Sequence, residues 1–392
     1  KKVVKAIESF DAHGDVAILK ALLELGSHDP ENNDIIIGLT ATVNIIRRNW
    51  LSERHQDIIT QSRGKMISKK GGGHRPITIM SPLLKLVDKI IDTEWNLTNH
   101  YGDGQFGAQT NGIPKISLMM QSLIHLSNKG ELGEPWVIMA LDGENAFGSM
   151  FRHHILDFIA EVCPHNYAFF ELMYPPASSA RSTVTHFDGF SVNVERGIQQ
   201  GAHTSPAIFC AVLGWLFKKH GIKEDHLSIA DDLTIYCKLS SAVELFDKYE
   251  TAYVDMGSRF KREKSKYLLL RGTTELTDGD QAVLTALQSR GITEADLIEI
   301  GGIPFSTDQA LIADFVKTKF TNVCTRIGDV TSALKSYSPL GALEIIKLCI
   351  LPSVVHLMRS LPTSITLEPS LAIGEACFQA ILNMLPASHP VV

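Results

Sequence analysis

Three aspartates stand where an apolar chain would not tolerate them without a reason. Asp142 closes the run Val137-Ile138-Met139-Ala140-Leu141, and Asp231-Asp232 interrupt the apolar stretch from Leu227 to Tyr236. A carboxylate beside such runs is costly to bury unless it is paired or metal-bound. One Asp alone could merely begin a loop. Two such sites on strands packed side by side would bring like charges together and call for cations. Mg²⁺ suits an all-oxygen ligand set and keeps positions open for substrate phosphates. Two such ions ~3.5–4 Å apart can activate an attacking hydroxyl and stabilise the leaving oxygen of an in-line displacement. Asp142, Asp231 and Asp232 are therefore the expected catalytic groups and metal ligands.

A second element is Arg196-Gly-Ile-Gln-Gln-Gly-Ala-His-Thr-Ser-Pro206, which leads into an apolar helix. Gly201 permits close backbone approach to a ligand. Ser205-Pro206 predicts an N-cap with Pro at the first helical position. An ordinary strand-to-helix turn would look similar.

The elements that must hold these residues are legible in outline. Val137–Leu141 predicts a buried strand, Leu227–Cys237 two short strands around the aspartate pair, and Lys266–Leu270 another strand. Gly71-Gly72-Gly73 between two apolar-flanked segments, 65–70 and 75–80, is a hairpin signature. Ser191–Ile198 predicts a strand; 155–173, 205–217 and 241–256 predict helices. Residues 3–24 and the stretch up to Trp50 also have helical spacing, with a turn cluster over 29–34. Beyond Gly301-Gly302 the chain is mainly helical, most clearly over 315–327 and 340–361. Strands and helices mix without regular alternation, which favours an α+β fold.

With 392 residues, 44% hydrophobic and 20% charged, the chain is globular and large enough for several subdomains. The longest apolar run, Ser205–Phe217, falls short of the ~20 residues needed to span a bilayer. No secretory leader is evident, so an intracellular protein with no membrane partner is expected. The six cysteines lack C-x-x-C spacing and are expected to be reduced. Net charge is −6, against the usual balance of a nucleic-acid binder. Charge is partitioned, however: residues 45–75 carry +6, 255–272 carry +4 and 274–316 carry −7. That is the distribution a phosphate-binding cleft on an acidic body requires, although solvated helix faces also produce charge runs.

In order and spacing these pieces resemble the reverse-transcriptase family, particularly the enzymes of non-LTR retroelements and group II introns. Asp142-Gly-Glu-Asn-Ala-Phe147 resembles the first catalytic-Asp motif. Gln200-Gly201 with Ser205-Pro206 is similar to the motif supporting template and nucleotide, and Ala230-Asp231-Asp232 to the catalytic hairpin. Lys69–Ile77 looks like the fingers hairpin and Gly257–Ser265 like the later Gly…Lys-Ser motif. Gly302-Ile-Pro and the stretch through Arg359 look like the entry to the thumb. The resemblance covers nearly the whole chain from about residue 45.

What the resemblance implies is specific. The fold would be a right hand: an N-terminal helical extension over 1–55, fingers over 56–135, a palm with the aspartates over 136–275 and a helical thumb over 276–392. Asp142 and Asp231 would hold two Mg²⁺ ions with Asp232 nearby. The backbone of Gly143, Glu144 and Asn145 would face the triphosphate beside Gln200 and Gly201. Arg75 would clamp it, with Lys65 and Lys264 as further candidates. Phe147 would crowd a ribose 2′-hydroxyl and so favour dNTPs. The implied activity is RNA-directed DNA synthesis from a primer, with an RNA template, a DNA primer and dNTPs as partners. The site of action would be the nucleus, or an organelle. Two alternatives stay open: a catalytically idle subunit of a larger ribonucleoprotein assembly, and an RNA-dependent RNA polymerase. The sequence departs from the family pattern at Lys261, where Asn is usual, and at His203.

Overall fold

The computed structural model describes residues 34–68, 74–102, 104–107, 109, 111–175, 183–186, 189–223 and 226–385. The helix expected over 3–24, the turn cluster up to residue 33 and the Gly71–Gly73 turn lie outside them. Eleven strands are described: β1 Ser62–Ser68, β2 His74–Ile79, β3 Trp136–Asp142, β4 Thr183–His186, β5 Ser191–Asn193, β6 His226–Ile229, β7 Asp232–Lys238, β8 Lys266–Leu270, β9 Thr293–Glu294, β10 Ile298–Ile300 and β11 Ile303–Phe305. The fold is mixed α+β. The chain forms two compact units whose segments interleave: residues 1–108, 143–224 and 248–260 make the first, the remainder the second.

The first unit carries a four-stranded sheet in the order β2-β1-β4-β5. β1 and β2 are the predicted hairpin, with Lys65 opposite Ile77 and Ile67 opposite Arg75. β4 then joins β1 in parallel. The strand expected over 191–198 ends at Asn193. Beyond it the backbone turns to the segment after Asp142, where Gly197 N–H donates to Met150 O and Ile198 N–H to Phe147 O, both at 2.8 Å. Those donors are therefore unavailable to a β ladder.

The helix Ser205–Lys219 buries Ile208, Phe209, Val212, Leu213 and Leu216 together with residues between them. That all-round burial explains its uniformly apolar sequence. Its N-cap is Thr204, not Ser205, and the cap forms no side-chain bond to the helix. Ser205 Oγ instead donates to Gln199 O at 2.8 Å. The predicted 155–173 helix is two helices, Arg152–Val162 and Tyr167–Met173, split at Pro164.

The second unit is built on the sheet β6-β7-β3-β8-β9. β3 is central, flanked by β7 and β8, and Val137, Ile138 and Met139 are fully buried. Burial on both faces accounts for its unbroken apolar run. β8 has the predicted bounds. Farther on, Gln309–Leu334 packs along Thr363–Met384, burying Ile312, Val316, Phe320, Val323 and Ile327 at steps of three and four. The predicted 340–361 helix is interrupted by a π turn at Ile346–Ile350. Pro339–Ser360 and Thr363–Met384 are each long and apolar enough to cross a bilayer by length and composition. The run Ser205–Phe217 is therefore not the longest apolar stretch of the chain; 28% and 17% of the two longer windows are buried. All six cysteines are free thiols.

Candidate active site

Asp142 and Asp232 are direct cross-strand partners. β3 and β7 pair with Leu141 opposite Leu233 and Asp142 opposite Asp232. Such partners hold their Cβ atoms about 4.5–5.5 Å apart. Because side chains alternate along a strand, the pairing that buries Leu141 and Leu233 turns both carboxylates to the other face. Asp231 lies in the two-residue turn between Ile229 and Asp232. Its neighbour Ala230 has φ 56°, a left-handed conformation that costs an alanine roughly 1–2 kcal/mol. Strain of this kind concentrates at functional turns.

Like charges gather here. The Asp232 carboxyl is pushed up to about 6, first by burial and then by the charges of Asp231, Asp142 and Glu299, with Lys264 opposing. Asp142 Oδ2 is sealed from solvent and makes no hydrogen bond. The cations beside it are Lys261 Nζ at 3.4 Å and Lys264 Nζ at 3.7 Å. A cavity of about 660 Å³ adjoins, lined by Asp142, Glu263, Lys264, Lys266 and Glu299 among others.

An all-oxygen donor set with one buried, unbonded oxygen and crowded negative charge fits a hard divalent cation in kind. Among the described residues, no three Asp, Glu, His or Cys side chains converge closely enough to enclose an ion.

The remaining predicted residues belong to the first unit. After Asp142 the backbone is already engaged: Gly143 bridges Phe260, and Glu144 N–H donates to Arg259 O at 2.8 Å. The Glu144 carboxylate pairs with the Arg259 side chain. Asn145 is exposed with φ 48°, a conformation Asn tolerates better than most residues. Phe147 is half-buried and stacks on Phe209, ring centroids 4.1 Å apart. Arg75 and Lys65 are both exposed on the hairpin. Pro76, Asn145, Gly148, Arg152, Ile198 and Gln200 line a cavity of about 340 Å³.

The loop before the 205–219 helix is held from two sides. Thr78 N–H donates to Gln200 O at 2.7 Å. Gly201 has φ 135°, and a Cβ there would fall 2.3 Å from Thr78 O. The close approach that Gly201 permits is therefore to β2. On the other side Asp88, fully buried, accepts from His203 N–H and from the Thr204 hydroxyl. Burial pushes the Asp88 carboxyl up to about 6 despite those bonds. Burial, then Lys89 and Lys85, lowers the His203 imidazole to about 4. Asp88 was missed in the sequence. Its signal was an acid four residues after Leu84 on the buried stripe of Pro82–Glu94.

Comparison with known proteins agrees with the resemblance. Residues 67–304 match the family model described as reverse transcriptase (RNA-dependent DNA polymerase). The chain belongs to the reverse transcriptase family. Among solved structures, apo telomerase from Candida tropicalis is similar at TM-score 0.46 and 11% identity, covering 88% of this chain and 67% of that one. The same enzyme truncated from its C-terminal domain gives 0.44 and 12%, covering 64% and 54%. This chain thus spans about half to two thirds of their length. No curated protein matches the sequence.

Proposed function

We propose that this protein is an RNA-directed DNA polymerase that extends a DNA primer on an RNA template with dNTPs. The observation that carries the reading is the Asp142–Asp232 cross-strand pair, with Asp231 in the adjoining turn. Membership of the reverse transcriptase family supports it. The architecture we assign is a right hand, with fingers over 56–135, palm over 136–275 and thumb over 276–392.

Asp142, Asp231 and, less directly, Asp232 would hold two Mg²⁺ ions. Bound there, the ions would supply activation of the primer 3′-hydroxyl and neutralisation of the triphosphate. Arg75 would hold the triphosphate through its planar fork of donors, with Lys65 and Lys264 adding positive charge. Gly143, Asn145 and Gln200 would complete the nucleotide-facing surface, whereas Glu144 is engaged by Arg259 and Gly201 by Thr78. Phe147 excludes the ribose 2′-hydroxyl, and its stacking on Phe209 fixes the ring for that role. The site of action we assign is the nucleus, with an organelle as the alternative.

One observation favours a second reading, an idle subunit of a ribonucleoprotein assembly. The chain carries −6 overall, whereas gripping nucleic acid depends on neutralising phosphates. Primer extension with Mg²⁺ on an RNA template, with dNTPs or NTPs in parallel and Asp231→Ala as control, separates the readings. Extension with dNTPs that vanishes in the variant supports the polymerase. Extension with NTPs alone would make it an RNA polymerase. Failure with both, from folded protein that binds an RNA–DNA duplex, would leave the subunit.

A further inference from the structure

The strongest feature outside the expected ligand set is the amine beside Asp142. Lys261 Nζ lies 3.4 Å from Asp142 Oδ2, the oxygen that is buried and makes no hydrogen bond. Its place is built into the backbone. Lys261 N–H donates to Asp142 O at 2.8 Å, so main chain and charge are tied to the same residue. The Lys261 carbonyl in turn accepts from Ser265 N–H at 3.0 Å and Ser265 Oγ at 2.8 Å, and from Lys264 N–H at 3.2 Å. The side chain is 24% exposed, against 61% for Lys264. Lys264 already stands largely in solvent; Lys261 has less room to leave.

We propose that Lys261 is a resident counterion of Asp142 that a divalent metal must displace, and that it thereby sets how much metal this site requires. The inference rests on the proposed role of Asp142 as a metal ligand. The physical argument is competition. A carboxylate already neutralised by an ammonium attracts a cation less, and an arriving ion meets the repulsion of a fixed positive charge a few ångströms away. A neutral side chain of similar polarity at this position would impose neither penalty. Metal would then bind weakly to the free protein and more readily with a triphosphate, whose negative charge draws the ammonium off Asp142. Lys261 is a positioning residue in this account, acting through Asp142.

The test is Mn²⁺ titration of the full chain without nucleotide, reading free Mn²⁺ by electron paramagnetic resonance at fixed ionic strength. Lys261→Asn should tighten Mn²⁺ binding roughly tenfold, and Lys261→Gln likewise, since each removes one charge within ~4 Å of the ligand. Lys261→Arg, which keeps the charge, should stay within about twofold of wild type. Using both neutral variants guards against one of them failing to fold, which thermal melting would reveal. Asp142→Asn separates this inference from the reading beneath it. If that variant loses the ion while the neutral Lys261 variants bind no tighter than wild type, the counterion proposal is overturned alone. If Asp142→Asn binds Mn²⁺ as wild type does, Asp142 is not a ligand and both fall.

Discussion

Phe147 and Phe209 lie face to face, their ring centroids 4.1 Å apart and their planes 14° from parallel. The first ring is thus braced by a second on the buried 205–219 helix, where Phe209 is fully inaccessible. If Phe147 sets sugar choice by bulk, Phe147→Val should raise NTP use relative to dNTP use by roughly tenfold or more, the scale set by fitting or excluding one small group. Phe209→Ala should loosen the same discrimination without touching the nucleotide, since it removes the brace. Single-nucleotide incorporation rates for both substrate types are the measurement. An unchanged preference in Phe147→Val would refute the steric account.

Replacing Asp142 or Asp231 with Ala should abolish primer extension while leaving the protein folded, with a melting temperature within a few degrees of wild type. Relief of repulsion among the acids is offset at Asp142 by loss of its ion pairs with Lys261 and Lys264. Each substitution removes one member of a group of mutually repelling acids. Activity persisting in either variant would rule out these ligands. A large fall in melting temperature would show that the acids serve the fold instead.

Asp88 predicts a pH dependence of stability. Its carboxyl moves from an ordinary 3.8 to about 6 in the folded protein, so its proton is held more tightly there than in the unfolded chain. The stabilisation linked to that proton is complete below about pH 4 and is lost as pH rises towards 6. Urea midpoints of wild type and Asp88→Asn should therefore draw apart or together by an amount worth on the order of 2–3 kcal/mol over that window, always to the wild type's disadvantage as pH increases. Curves that run parallel from pH 3.5 to 7 would contradict the shifted carboxyl.

Gly201→Ala should destabilise the protein by about 3 kcal/mol, because its Cβ would meet Thr78 O at 2.3 Å on a backbone already at φ 135°. Chemical denaturation would show it directly. Ala230→Gly runs the other way. It relieves a left-handed alanine and should cost nothing or gain up to about 1 kcal/mol.

Much of the second unit was legible because its signals are local. The run Val137–Leu141 is apolar since β3 is covered on both faces, and Lys266–Leu270 is a strand with the bounds its residues indicate. The aspartates stood out for the same reason, each abutting such a run. What was hidden depends on distant partners. No local pattern announces that β4 joins β1 in parallel across more than a hundred residues, that Gly201 faces Thr78, or that Asp88 braces the loop at His203. Charge was misleading for a similar reason. The basic segments counted along the chain contain Arg47, which pairs with Glu94 at 2.8 Å, and Arg259, which pairs with Glu144. Local excess is not the charge the folded surface presents.

The central place of β3 has a consequence for synthesis of the chain. β3 ends at Asp142, but β7 begins at Asp232 and β8 at Lys266, about 90 and 124 residues later. At ~5–20 residues per second a ribosome needs roughly 5–25 s to supply both neighbours. Until β7 has emerged, the most apolar strand of the sheet has two open edges and nothing native to pair with, and one edge stays open until β8 follows. Such edges template association between chains. The nascent protein is therefore most exposed to aggregation, and most dependent on a chaperone that masks extended apolar segments, after β3 has emerged and before Leu270 has.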